Sequence, residues 1–159
     1  MIFGCTGHQK LGRQTRRVVA AAVATLLAER GGSDVVGVSS LAEGADQLFA
    51  LSVLAAGGAL NAVVPSLGYE GSFISDDARG AYVSLLKLAA NVQTMNYDQP
   101  CEDAYLAAGH TVANSCELLI AVWDGKTAAG KGGTGDIVKY ARDRGVAVEV
   151  VWPAGASRT

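Results

Sequence analysis

The sequence predicts a three-layer α/β domain with a mainly parallel sheet of five to six strands. Three observations carry this expectation. Short apolar runs of strand length alternate with longer stretches of helical periodicity along the 159 residues. Several runs are apolar nearly throughout, as strands covered on both faces are. Glycine pairs close the first two helical stretches, where the chain must turn back.

Strand one is Met1–Thr6. The first helix runs from about Arg13 to Arg30, with Val18, Val19, Ala22, Val23, Leu26 and Leu27 at helical spacing and Gly31-Gly32 as its stop. Strand two is Val35–Ser39. Helix two spans about Glu43–Ala56, with Leu48, Leu51, Val53 and Leu54 as core candidates and Gly57-Gly58 as its end. Strand three, Leu60–Val64, stops at Pro65, and the glycine- and serine-rich stretch Ser66–Asp76 reads as a longer loop. Helix three follows from about Asp77 to Ala90, strand four is Val92–Met95, and helix four runs from about Cys101 to Ser115. Strand five is Leu118–Trp123, helix five Gly135–Arg144 and strand six Val146–Trp152. Strands two, five and six are the nearly continuous apolar runs, so all three are expected between two helix layers. Alternating order with right-handed crossovers makes the domain Rossmann-like, with ligands bound beyond the carboxyl ends of the strands.

Half the residues are hydrophobic and 18% are charged, which excludes a disordered chain. One domain is expected over residues 1–153, with 154–159 as a flexible tail. No apolar run approaches the roughly 20 residues of a membrane span, so no membrane partner is expected. Met1-Ile-Phe-Gly lacks the layout of a signal peptide. Cys5, Cys101 and Cys116 form no CxxC pair and no disulfide framework. Free thiols in a reducing cytoplasm are the plain reading, and no metal is implied. A net charge of −2 speaks against nucleic acid as a partner. Lys10, Arg13, Arg16 and Arg17 cluster locally and read as a solvated first helical turn.

Three loops that follow strands carry unusual residues. After strand one, Thr6-Gly-His-Gln-Lys-Leu-Gly12 offers Gly7 for a close approach or a sharp turn, and His8 and Gln9 as hydrogen-bonding groups. Its glycines are spaced too widely for the dinucleotide fingerprint GxGxxG. After strand two comes Ser39-Ser-Leu-Ala-Glu-Gly-Ala-Asp46. Ser39 opens it, and Ser40 and Glu43 have the spacing of a capping box. Gly44 in a first helical turn points to close approach of a ligand or of neighbouring backbone. Asp46 suits a ribose hydroxyl or another strand's loop.

The third and most informative loop joins Trp123-Asp-Gly-Lys to Gly130-Lys-Gly-Gly-Thr-Gly-Asp136. Strand, glycine loop and helix together aim unpaired backbone N–H groups at an anion, so Gly132, Gly133 and Thr134 are the expected phosphate cradle. The P-loop pattern GxxxxGK[ST] is absent. Asp136, in the first helical turn, suits a ribose hydroxyl or a phosphate held a few ångströms away. Asp124 is a second carboxylate at this edge. Trp123, Tyr69 and Tyr97 are either base-stacking residues or core and rim.

These three loops, in this order, resemble the SLOG superfamily of Rossmann-like nucleotide-binding domains, over almost the whole chain from Thr6-Gly-His8 to Val150. That superfamily includes the Lonely Guy phosphoribohydrolases, DNA-processing protein A and sensor domains. Ser39–Asp46 is similar to the SGxAxGID segment of DNA-processing protein A. Trp123-Asp-Gly-Lys and Gly130–Asp136 are similar to the glycine loop of sensor-type members. The Lonely Guy pattern is PGGxGTxxE, whose glutamate takes part in cleaving the N-glycosidic bond. Setting Gly133-Thr134 on its GT puts Ile137 at the glutamate position, and an isoleucine can neither attack a sugar carbon nor donate a proton.

The sequence therefore reads as a non-catalytic binding domain for a nucleotide or nucleotide-derived phosphorylated ligand, with no further cofactor. The alternative is an N-glycosidic-bond hydrolase or transferase using Glu43, Asp46, Asp124 or Asp136, and a second alternative is single-stranded DNA handling. A symmetric homodimer packed through the alanine- and leucine-rich helices is expected.

Overall fold

The computed structural model describes residues 1–127 and 133–158. Its elements are β1 (Ile2–Gly7), α1 (Arg13–Arg30), β2 (Val36–Ser39), α2 (Ala45–Ala55), β3 (Ala59–Val64), α3 (Asp76–Leu88), β4 (Asn91–Thr94), α4 (Glu102–Ser115), β5 (Leu118–Val122), α5 (Thr134–Asp143) and β6 (Ala147–Val150). A 3-10 turn at Tyr69–Ser72 punctuates the loop before α3. Each boundary falls within two residues of the position read from periodicity.

The six strands form one parallel sheet in the order β4-β3-β2-β1-β5-β6. The chain builds outward from β1 through β2, β3 and β4. It then crosses back with α4 to lay β5 against the other side of β1. That crossing sets the two helix layers. Helices α1, α2 and α3 cover one face, where Phe3, Cys5, Ile120 and Val122 meet Val19, Val23, Phe49 and Val53, and where Leu60, Ala62 and Val64 meet Ala78, Tyr82 and Leu85. Helices α4 and α5 cover the other, packing Val112, Ala113, Ile137 and Ala141 on Val38, Val63 and Leu119. The sheet is the middle of a three-layer Rossmann-like domain.

Two expectations are corrected here. All five residues of β5 are buried, as a strand covered on both faces requires, but β6 is the sheet edge, with Ala147, Glu149 and Val150 exposed. An apolar run does not distinguish a central strand from an edge, because that depends on which strands pair with it. Leu51 was expected in the core and is 57% exposed. Phe49, Ala50 and Val53 define the buried face of α2, and Leu51, some 200° round the helix from Phe49, points away from it.

Local signals account for the helix ends. Ser75 caps α3 by accepting the Ala78 N–H at 3.2 Å, and Asp76 and Asp77 complement the positive end of the helix. Helices α4 and α5 meet at Gly109. A Cβ on Gly109 would stand 2.4 Å from Ile137 Cδ1, so the glycine is what lets the two helices meet there.

Candidate ligand site at the carboxyl edge of the sheet

The strand order reverses between β1 and β5, and the connections leaving these strands go to opposite faces, which makes their carboxyl ends the switch point at which open α/β sheets form a ligand crevice. The His8 backbone ties this edge together. Its N–H donates to Val122 O at 3.1 Å, and its carbonyl accepts the Ala45 N–H at 3.1 Å. Gly44, at φ +87°, lies directly against it: a Cβ there would stand 2.4 Å from Gln9 O and 2.6 Å from His8 O. The close approach Gly44 permits in this structure is therefore that of neighbouring backbone. Gly7 is likewise packed, against Ala45 and Val122.

The His8 side chain is buried and spans the switch point. Its Nε2 is 3.1 Å from the Asp124 backbone N and 3.3 Å from Asp124 Oδ1, and Trp152 stands edge-on to its ring at 5.4 Å. Accepting the Asp124 N–H requires a neutral ring protonated on Nδ1. Burial favours that form and lowers the pKa, and the charge of Arg158 acts the same way, against a smaller opposing pull from Asp124. The carboxyl of Asp124 is held below its ordinary value, chiefly by the Lys126 N–H it accepts at 2.9 Å.

The β2–α2 loop is locked from within. Ser39 Oγ accepts the Leu41 N–H at 3.0 Å and donates to Asp46 O at 3.5 Å, while Asp46 Oδ2 accepts the Ala42 N–H at 3.4 Å. Leu41 sits fully buried at φ +59°, held by Gln47, whose amide donates to Leu41 O and Ala78 O. The capping box is not formed. Helix α2 opens at Ala45 with Gly44 as its N-cap, so Ser40 and Glu43 both precede the helix. Asp46 turns inward beside Cys5, where burial pushes its carboxyl up to about 7 against the pull of the Ala42 N–H and the Cys5 thiol.

Of the third loop, Gly132 lies outside the described residues, with Gly130 and Lys131. Gly133 is the N-cap of α5 with extended backbone and no side-chain cap, Thr134 is buried, and Asp136 is exposed in the first turn. Ile137, at the position matched to the hydrolase glutamate, is 2% exposed and presses on Gly109. That position points into the α4–α5 seam. Tyr69 is core, buried with Phe73 and Tyr82, while Trp123 donates its Nε1–H to Lys126 O and Tyr97 is half-buried.

A shallow groove of about 250 Å3 lies beside the crevice, lined by Gln9, Lys10, Leu11, Gly12, Arg16, Glu43 and Arg158. Lys10 and Arg16, which read as solvated charges, thus share a concave surface with Glu43. The segment after β6 completes it. Val151 N–H donates to Ala121 O and Ser157 N–H to Thr15 Oγ1, both at 2.8 Å, which brings Trp152 onto His8 and places Arg158 Nη1 4.0 Å from Asp124 Oδ2. Sequence reasoning missed both residues, since nothing in the local pattern of 151–158 indicates contact with residues near position 10. Among the described residues, no group of His, Cys, Asp and Glu is arranged to hold a metal ion.

No family model matches the chain, and no curated protein matches it. Solved structures do. DNA processing protein A from Streptococcus pneumoniae aligns with a TM-score of 0.69 at 18% identity, over 96% of this chain and 50% of that one. DNA processing protein A from Helicobacter pylori, described for its single-stranded DNA binding mode, aligns at 0.70 and 16% identity, over 99% and 68% of the two chains. A molybdenum cofactor binding protein from Rippkaea orientalis aligns at 0.57 and 15% identity, over 94% and 74%. The chain spans half the length of the Streptococcus protein. At these identities the likeness establishes the fold and leaves the ligand to the site's own chemistry. The chain has a Rossmann-like fold, one it shares with proteins named for DNA processing and for a molybdenum cofactor.

Proposed function

We propose that this domain binds a nucleotide or nucleotide-derived phosphorylated ligand at the carboxyl edge between β1 and β5, and does not cut it. The observation that carries the reading is the meeting of the β1–α1 loop with Gly44 of the β2–α2 loop and with Asp124 after β5 at the switch point, the position where open α/β sheets take their ligands. Gly133 starts α5 there with no side-chain cap among the described residues, so the N–H groups of Thr134 and Gly135 can meet a phosphate, while the Asp136 N–H already donates to Gly133 O. His8 and Asp124 form the floor. The case against cleavage rests on Ile137, whose side chain lies in the core.

Single-stranded DNA is the second reading. It is favoured by the fold shared with DNA processing protein A and by the local grouping of Lys10, Arg16 and Arg158, which outweighs a net charge of −2 at this surface.

Thermal-shift and calorimetric titration with AMP, ADP-ribose, NAD and cyclic nucleotides test the primary reading. A ligand at one hundred times its Kd adds about 2.7 kcal/mol of stability, roughly 5–10 °C in Tm for a domain of this size. If no nucleotide stabilises the protein while an oligo-dT binds with strong salt dependence, the site belongs to the second reading. Free base released from AMP would overturn the non-catalytic assignment.

A further inference from the structure

The groove beside the crevice holds more positive charge than the fold uses. Among the described residues neither Lys10 nor Arg16 forms an ion pair, although Arg16 Nε donates to Leu11 O at 3.2 Å and so fixes the base of its head group. Arg158 faces the same groove from the segment after β6. Its nearest carboxylate, Asp124, is 4.0 Å away, and the arginine side chain is 52% exposed. A pair at that distance and exposure holds its partner weakly, so the guanidinium turns into the groove at small cost. Lys10, Arg16 and Arg158 against the one carboxylate of Glu43 leave the groove lining with a formal charge of +2, which favours entry of an anion. The start of α1 adds to this field, since its first turn carries no acidic residue. Glu43 lines the groove as well, and a carboxylate beside cations accepts hydroxyl hydrogen bonds from a sugar.

We infer that Arg158, carried back to the sheet edge by the segment after β6, is a ligand-binding residue, and that with Lys10 and Arg16 it holds a second phosphate. The inference rests on the proposed reading of this edge as a site for phosphorylated ligands, and it narrows the ligand class. The α5 start lies on one face of the sheet and the groove at the α1 start on the other. A ligand that reaches both carries at least two phosphates, with Glu43 taking a hydroxyl between them. A dinucleotide and the backbone of a single strand share that chemistry.

The probe is inorganic pyrophosphate, followed by amide shifts in a two-dimensional NMR spectrum of the full chain. Gln9, Lys10 and Gly12 amides and the Arg158 side-chain Nε–H are expected to move. Arg158→Ala is expected to weaken binding about tenfold, and Lys10→Ala/Arg16→Ala/Arg158→Ala to abolish it. All three side chains are exposed, so an unchanged Tm serves as the folding control. Pyrophosphate that leaves these amides unmoved, or that binds the triple variant within twofold of wild type, overturns the inference even if AMP binds elsewhere. If pyrophosphate moves them while no nucleotide or oligonucleotide binds, the proposed function fails and the anion subsite stands. Two further arms identify the source of the phosphates. Oligo-dT binding whose log K against log salt slope shrinks by about 2 in the triple variant assigns a single strand. Tighter binding of a dinucleotide than of oligo-dT, lost in the same variant, assigns the small molecule.

Discussion

His8 Nε2 stands 3.1 Å from the backbone N of Asp124 and 3.3 Å from its Oδ1, joining residues 116 positions apart across the point where the strand order reverses. The imidazole cannot serve both atoms in one protonation state. Neutral, it accepts the backbone N–H; protonated, its Nε2–H turns to the carboxylate and the backbone bond is lost.

This geometry predicts the pH behaviour of His8. Burial, followed by the charge of Arg158, lowers its pKa from the ordinary value of about 6.5. A histidine with a depressed folded pKa is neutral in both states above about 6.5, where it costs nothing. Stability is then lost as pH falls through the unfolded value toward the lower folded one. NMR titration of the His8 ring is expected to show a midpoint below 6.5, and Arg158→Ala to move it upward. An unshifted midpoint in the wild type would show that the ring is solvated.

Gly44→Ala is expected to destabilise the domain by about 2–4 kcal/mol, through the strain of a positive φ and the clash with the His8 and Gln9 carbonyls. Urea unfolding measures it. A change under 0.5 kcal/mol would mean that the β1–α1 and β2–α2 loops are not in contact.

Asp46 is predicted to weaken the fold at neutral pH. Its folded pKa, near 7, lies above the unfolded value, so its contribution is fully present below about pH 4 and is lost as pH rises through 7. Asp46→Asn keeps an acceptor for the Ala42 N–H and removes the charge. The variant is expected to gain about 4 kcal/mol at pH 8, or ~10 °C in Tm, and no more than a tenth of that at pH 3. Equal Tm differences at both pH values would place the carboxylate in water.

Ile137→Glu puts the hydrolase carboxylate where the resemblance aligns it. Because the side chain lies in the α4–α5 seam, the expected result is a loss of about 3–5 kcal/mol and no base released from AMP. A stable variant that cleaves AMP would show that this side chain reaches the crevice.

The fold was largely legible because its signals are local. The periodicity of Val18 to Leu27, the glycine pairs and the Pro65 stop each specify an element or its end from a few neighbouring residues, and alternation of elements then specifies a parallel sheet. The places where reading failed depend on partners far away in the chain. Ser40 and Glu43 have capping-box spacing, but the contact of Gly44 with the His8–Gln9 backbone moves the helix start to Ala45. Asp46 looks like a ligand carboxylate, and Cys5 and the Ala42 N–H draw it inward.

By itself, then, the amino-acid sequence determined the order of strands and helices and the three loops that end at one edge of the sheet. Spacing of side chains along the backbone encodes those features. The tertiary structure decided the edge position of β6, the His8–Asp124 bond and the return of Arg158 to the groove beside Lys10. Each of these is a contact between segments joined only by strand pairing and packing, and no window of neighbouring residues contains both partners.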